Sequence, residues 1–274
     1  MSRQFEKQKD LEVAQPNRRW GCFITLSRAA ALLQLLLVIG LGGPRCAAAS
    51  IPAQELFQQG SASYVTNGFE PAAALFLEAA SVSPAAGTLH NLGNAEWQTG
   101  RPGPAILAWE RAQWITPFSS DTRANLRYAR KARQLDAPEL AWYEICSTWL
   151  PVNAWAWIAC VSFWLAVAMI MLPGVLGWRK ADWHQGVAAA GFAVFLLTLP
   201  ALAGVHTRSK LGVILPQETP LLLTPTSEAQ ILTRLPAGET ARLERERGSY
   251  VFIRTGAAAG WVGRAQFGLM CGNY

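Results

Sequence analysis

No charged residue falls between Ile145 and Trp178, a run of 34 residues, and none between Gln185 and Val205, a run of 21. About 20 consecutive apolar residues suffice to cross the hydrocarbon layer of a bilayer. Two soluble helices of this composition would need burial on every side, so two spans are expected, within 145–178 and 185–206. Pro151 and Pro173 bracket the core of the first. Trp142, Tyr143, Trp149, Trp155 and Trp157 crowd its start, and Trp178 and Trp183 follow its end. Tryptophan favours the bilayer interface, which makes these residues aromatic belts.

The loop 179–184 between the spans carries Arg179 and Lys180 against Asp182. The positive-inside rule puts it in the cytoplasm and the two flanking regions on the far side. Arg208 and Lys210, after the second span, argue mildly against this. The N-terminus agrees with the loop. Residues 1–28 hold six Lys or Arg against three Asp or Glu, an apolar stretch runs from Ala29 to Gly40, and Ala47-x-Ala49 precedes Ser50. That is the tripartite layout of a secretory signal. Residues 1–49 are read as a signal or anchor segment, giving two spans if it is cut and three if it stays. Arg45 stands where a lipid-attachment Cys46 would need a small residue.

Between 50 and 140 the chain repeats itself. Gly60, Ala72, Phe76, Ala79 and Pro84 return as Gly93, Ala105, Trp109, Ala112 and Pro117, each 33 residues later. A fixed period of this length marks stacked helical units sharing one core. Small residues let two helix backbones approach, the aromatic fills the space between them, and the proline ends the second helix. Helices are predicted at 53–66, 69–82, 86–98 and 104–116, with turns at Asn67-Gly68 and around Thr99-Gly100. A further helix is predicted from Asp121 to Gln134. Its Arg123, Arg127, Arg130 and Lys131 share roughly one face. They are either the solvated side of a capping helix or a patch for an acidic partner or lipid headgroups. Two units and a cap are few for such an array, so support from the membrane or another protein is expected.

From Lys210 the composition changes to short strand-like runs: Leu221–Leu223, Ile231–Leu232, Ala241–Leu243 and Val251–Ile253. Turns are predicted at Leu235–Glu239 and Arg247–Ser249. Gly260-Trp261-Val262-Gly263 closes the pattern. Five or six short strands in about 60 residues suggest a small barrel. Tyr250 and Trp261 are expected in its core.

No catalytic set assembles. The three histidines, His90, His184 and His206, fall on elements that this topology keeps apart. The five cysteines, Cys22, Cys46, Cys146, Cys160 and Cys271, lack paired metal-ligand spacing. Cys146 and Cys271 share the exported side, which leaves a disulfide open. Net charge +6 is spread over several segments, which argues against nucleic acid. No enzyme, cofactor or metal is expected.

Leu92-Gly93, Ala105, Trp109, Ala112 and Pro117 resemble the tetratricopeptide repeat. Gln59 departs from it where Leu is usual, and Glu96 where Tyr is usual. Leu235-Pro-Ala-Gly-Glu239, Gly248-x-Tyr250 and Gly260-Trp261-Val262 resemble the bacterial SH3 domain over 212–268, with Tyr250 where Trp is common. The resemblances imply a multi-domain membrane protein: all-α tetratricopeptide repeats (50–140), two transmembrane helices and a small all-β SH3-like barrel (210–274). The order of segments, with Asp121–Leu126 after the repeats, resembles the BatE-type membrane proteins of bacterial aerotolerance operons. That likeness implies a scaffold in the bacterial inner membrane, with both modules in the periplasm beside von Willebrand A membrane proteins and linked to aerotolerance or envelope stress. The rival expectation is a cell-wall protein that grips peptidoglycan with the SH3-like domain. Its test in the sequence is thin, because strand alternation should bury several of Tyr250, Phe252, Trp261, Phe267 and Tyr274.

Overall fold

A computed structural model describes residues 51–176 and 182–271. The signal or anchor segment 1–49, with Cys22 and Cys46, lies outside these residues, as do Trp178, Arg179, Lys180 and Tyr274. The described residues form eight α-helices and one antiparallel β-sheet. The helices are α1 (Ile51–Val65), α2 (Phe69–Val82), α3 (Ala86–Gln98), α4 (Pro102–Ile115), α5 (Ser120–Arg133), α6 (Trp142–Ser147), α7 (Val152–Leu176) and α8 (Asp182–Arg208). The strands are β1 (Leu211–Ile214), β2 (Thr219–Leu222), β3 (Ile231–Leu235), β4 (Thr240–Arg247), β5 (Tyr250–Arg254), β6 (Ala259–Gly263) and β7 (Phe267–Leu269). The described residues fall into two compact units, a smaller one within 167–188 and a larger one holding the rest. In the smaller unit the described residues are the end of α7 and the start of α8, where Trp183 stacks on His184 at 3.6 Å.

The 33-residue offset reappears as geometry in the larger unit. A Cβ on Gly60 would lie 2.9 Å from the Phe76 ring, and one on Gly93 would lie 2.5 Å from the Trp109 indole. Each glycine is the floor on which the aromatic of the next helix sits. Ala72, Ala79, Ala105 and Ala112 are buried beside them, at 0–1% exposure. Asn67, with φ 62°, and Gly100, with φ 76°, turn the chain between paired helices. Pro84 and Pro117 follow the ends of α2 and α4. Gly93→Ala is expected to cost about 1–2 kcal/mol, because overpacking against a rigid indole exceeds the gain in helix propensity. A lowered midpoint in thermal unfolding of the full chain checks this.

α5 is capped at its N-terminus by Ser119, whose hydroxyl accepts the Thr122 N–H at 3.4 Å. It ends where Gln134 turns left-handed at φ 55°. Beyond it the end of the array packs on the sheet. Ala105, Ile106, Leu107 and Trp109 of α4 share one core with Leu126 and Ala129 of α5, Leu211 and Val213 of β1, and Met270. A Cβ on Gly103 would meet the Leu215 carbonyl oxygen at 2.1 Å, so α4 lies directly on the sheet. The short array is expected from its sequence to lean on the membrane or another protein; the structure shows its α4 end packed on the chain's own sheet.

The sheet has the order β3-β2-β6-β5-β4-β1-β7. All seven strands contribute to one core, from Ile214, Leu221, Leu235, Ala241, Val251, Ile253, Val262 and Phe267. It therefore curls around a single interior. Gly238 (φ 92°) and Gly248 (φ 57°) serve the two predicted turns.

α7 and α8 are long and apolar enough to cross a membrane. Only 17% and 22% of their most apolar windows are buried inside the protein, unlike the core helices of a soluble domain. In the larger unit they pack through Gly191, where a Cβ would lie 3.1 Å from the Ser162 carbonyl oxygen, and through Phe163 on Phe195 at 5.2 Å. Their ends differ from the sequence reading. The first uncharged run does not form one helix from Ile145. It divides into α6 and α7, because Pro151 disfavours helical backbone at the residue before it. The second helix starts at Asp182, so His184 lies in its first turn and not in a loop.

Candidate functional site

The four basic residues of α5 do not form a free patch. Arg130 turns inward and pairs with Glu110 of α4, both side chains being less than one-fifth exposed. Arg123 donates to the Pro117 carbonyl at 2.8 Å. Arg127 and Lys131 are exposed. Arg123, Arg127 and Arg130 instead line a cavity of about 590 Å³, and Lys131 is not among its lining residues.

A fourth arginine joins them from the far end of the chain. Arg208, the last residue of α8, also lines this cavity. Its guanidinium lies 4.6 Å from the Trp114 ring centre and donates to the Ser147 hydroxyl at 2.9 Å. The apolar lining includes Leu126, Leu140, Leu211 and Met270, with the exposed Phe118 and Trp149 at its rim. Four guanidinium groups therefore face one carboxylate, Glu110. Arg130 Nε is buried with no hydrogen-bond partner, as is Gln113 Oε1. The sequence reading missed Arg208 because nothing local ties it to α5; it was read only as a charge after a span.

Beside this cavity a buried ion pair joins α6 to the sheet. Glu144 is 1% exposed and binds Arg242 of β4 through both oxygens, at 2.8 and 3.1 Å. Glu144 also accepts the Ala141 N–H at 3.0 Å, and Arg242 donates to the Thr207 carbonyl at 3.1 Å. Burial pushes the Glu144 carboxyl up, but the bonds from Arg242, Thr207 and Ala141 outweigh it and hold it below its ordinary 4.5. Burial raises Glu96 and Glu239 above 4.5, against the opposing Arg101 charge and the Thr255 hydrogen bond respectively. The signs differ accordingly. A depressed carboxyl gives stability that is present above 4.5 and lost as pH falls through its folded value; a raised one is relieved by protonation above 4.5. The lowered His90 costs stability as pH falls below 6.5 and opposes the two raised carboxyls, so unfolding followed against pH should show these effects offsetting between 6.5 and 4.5 and stability dropping below 4.5. Glu144→Gln should remove part of the acid drop and leave the upper limb unchanged.

The outer face of the sheet differs from expectation. Val251, Ile253 and Val262 point inward, while Tyr250, Phe252 and Trp261 alternate outward and are half-buried. Trp261 and Phe252 meet edge to face at 5.3 Å. Tyr250 and Trp261 are thus not core residues, since the pleat puts their neighbours inside. Gly260 keeps its inward position because a Cβ there would lie 2.8 Å from Leu221. Tyr250, Pro220, Leu222 and Ile231 line a shallow groove of about 800 Å³. Glu244 and Glu246 of β4 pair with Arg254 of β5 and with Arg264, which follows β6.

Elsewhere His90 bonds the Thr122 hydroxyl at 2.9 Å and is held below its ordinary value of 6.5, burial outweighing the nearby Asp121 charge. Cys146, Cys160 and Cys271 are free thiols. No group of three or more His, Cys, Asp or Glu side chains suited to a metal occurs among the described residues. No protein-family model and no curated protein matches this chain.

Proposed function

We propose that this chain is a membrane-anchored protein–protein interaction scaffold on the exported side of a bacterial inner membrane. In this reading α1–α4 are two tetratricopeptide units, the sheet is an SH3-like module, and α7 and α8 are the transmembrane anchor. The observation that carries it is the repeated glycine–aromatic seat, Gly60 under Phe76 and Gly93 under Trp109, on a chain with two largely uncovered apolar helices. Repeated helix pairs present an extended surface to peptides or helices. Confinement to a bilayer raises the effective concentration of a membrane neighbour, so weak contacts suffice. The role is one of binding and not catalysis. It suits a Bat-type complex for aerotolerance or envelope stress, with von Willebrand A membrane proteins as partners. Co-purification from mild-detergent membranes tests it: recovery of such proteins supports the reading, and recovery of no membrane protein defeats it.

A second reading, peptidoglycan binding, gains support from the outward Tyr250, Phe252 and Trp261, which the sequence suggested would be largely buried. Aromatic faces beside a groove are suited to sugar rings and peptide stems. Co-sedimentation of the full chain in detergent with purified peptidoglycan, lost in Trp261→Ala, would favour it. The isolated residues 210–274 are a poor probe, since β1 and Met270 share a core with α4.

A further inference from the structure

We propose that the cavity between α4, α5 and the end of α8 binds the phosphate headgroup of one anionic phospholipid. The inference rests on the membrane reading above and adds a specific ligand to it. Arg123, Arg127, Arg130 and Arg208 line the cavity against the single carboxylate of Glu110. Glu110 is already engaged by Arg130. Arg127 has no hydrogen-bond or ion-pair partner among the described residues, leaving a guanidinium fork free for phosphate oxygens.

Position favours a lipid over an acidic protein. Arg208 closes the second apolar helix, and Thr148 and Trp149, also in the lining, immediately precede the first. If both helices cross a bilayer, this rim stands at the level of the lipid phosphates. Trp149 and Phe118 are 62% and 64% exposed at that rim, as interfacial aromatics are. Leu126, Leu140 and Leu211 give the cavity an apolar wall that a hydrated phosphate alone would not use but a glycerol backbone would. Phosphatidylglycerol, whose single phosphate carries the headgroup's one charge, is the probe of choice.

The test is native mass spectrometry of the full chain released from detergent with phosphatidylglycerol or phosphatidylcholine added. One phosphatidylglycerol should be retained, at least about tenfold more tightly than phosphatidylcholine, and the R123A/R127A variant should lose at least about tenfold in affinity. K131A/R133A removes the same charge from the same helix outside the cavity and should bind as wild type. Equal losses in both variants, or equal retention of both lipids, would overturn the proposal. Glycerol phosphate binding as tightly as the lipid would assign the cavity to a soluble phosphate. Retention of a polyglutamate peptide with no lipid would assign it to an acidic protein. Either result also overturns it. Helical circular dichroism of each variant confirms folding. Carbonate extraction separates the two readings: a chain that stays in the membrane but retains no lipid sinks this proposal alone.

Discussion

Truncating Trp109 to alanine is expected to cost about 3–5 kcal/mol of folding stability, the usual range for emptying a buried aromatic site. Trp109 is 2% exposed and connects three helices. Its ring sits on Gly93, lies 5.9 Å from Trp97, and donates to the His90 carbonyl at 3.2 Å and Asn94 Oδ1 at 3.1 Å. Asn94 in turn accepts from Asn125 of α5 at 2.9 Å. The glycine beneath offers no side chain to refill the space, so little relaxation can offset the cavity. Trp109→Phe keeps most of the packing and gives up the N–H bonds, for an expected loss of about 1–2 kcal/mol. Denaturant unfolding of the full chain, followed by helical circular dichroism, should rank the variants in that order. Equal midpoints for wild type and W109A would mean that the array does not depend on this seat.

Removing Arg242 is expected to be nearly as costly, about 3 kcal/mol. Breaking a buried pair leaves an uncompensated charge, here a Glu144 carboxylate 1% exposed. The value sits at the low end of its range because Arg242 itself is 31% exposed and partly screened. The damage should be local. Arg242 ties β4 to α6 and to the Thr207 carbonyl at the end of α8, so R242A should open the segment around 134–140 to proteolysis before the helices unfold. The double variant E144L/R242M replaces the pair with apolar groups of similar size and should recover most of the loss. Failure to recover would mean that packing, not the stranded charge, is what R242A disturbs.

Much of this architecture was legible in the residues. The Gly-Ala-aromatic-Ala-Pro offset locates four helices to within about two residues, because each member has a strict steric duty. Gly93 cannot bear a side chain and Pro117 cannot continue a helix. The two uncharged runs likewise announce α7 and α8. The docking of sheet on helices was not legible. β1 is four consecutive buried residues straight after a helix, with no alternation to mark a strand, and β7 is three residues long. Trp261 and Val262 are adjacent apolar residues, so period two alone does not say which faces inward; Gly260 packing on Leu221 decides it. The cavity joins Arg123 to Arg208, 85 residues apart (208 − 123), through tertiary contacts that no local pattern encodes.

Purification of the tagged full chain from mild-detergent membranes, with co-purifying proteins identified by mass spectrometry, bears most directly on the scaffold role. Membrane proteins with von Willebrand A domains are expected with the wild-type chain and should be lost with W109A, whose repeat array is unseated. A membrane-inserted wild-type chain that brings down no membrane protein above an untagged control would contradict that role.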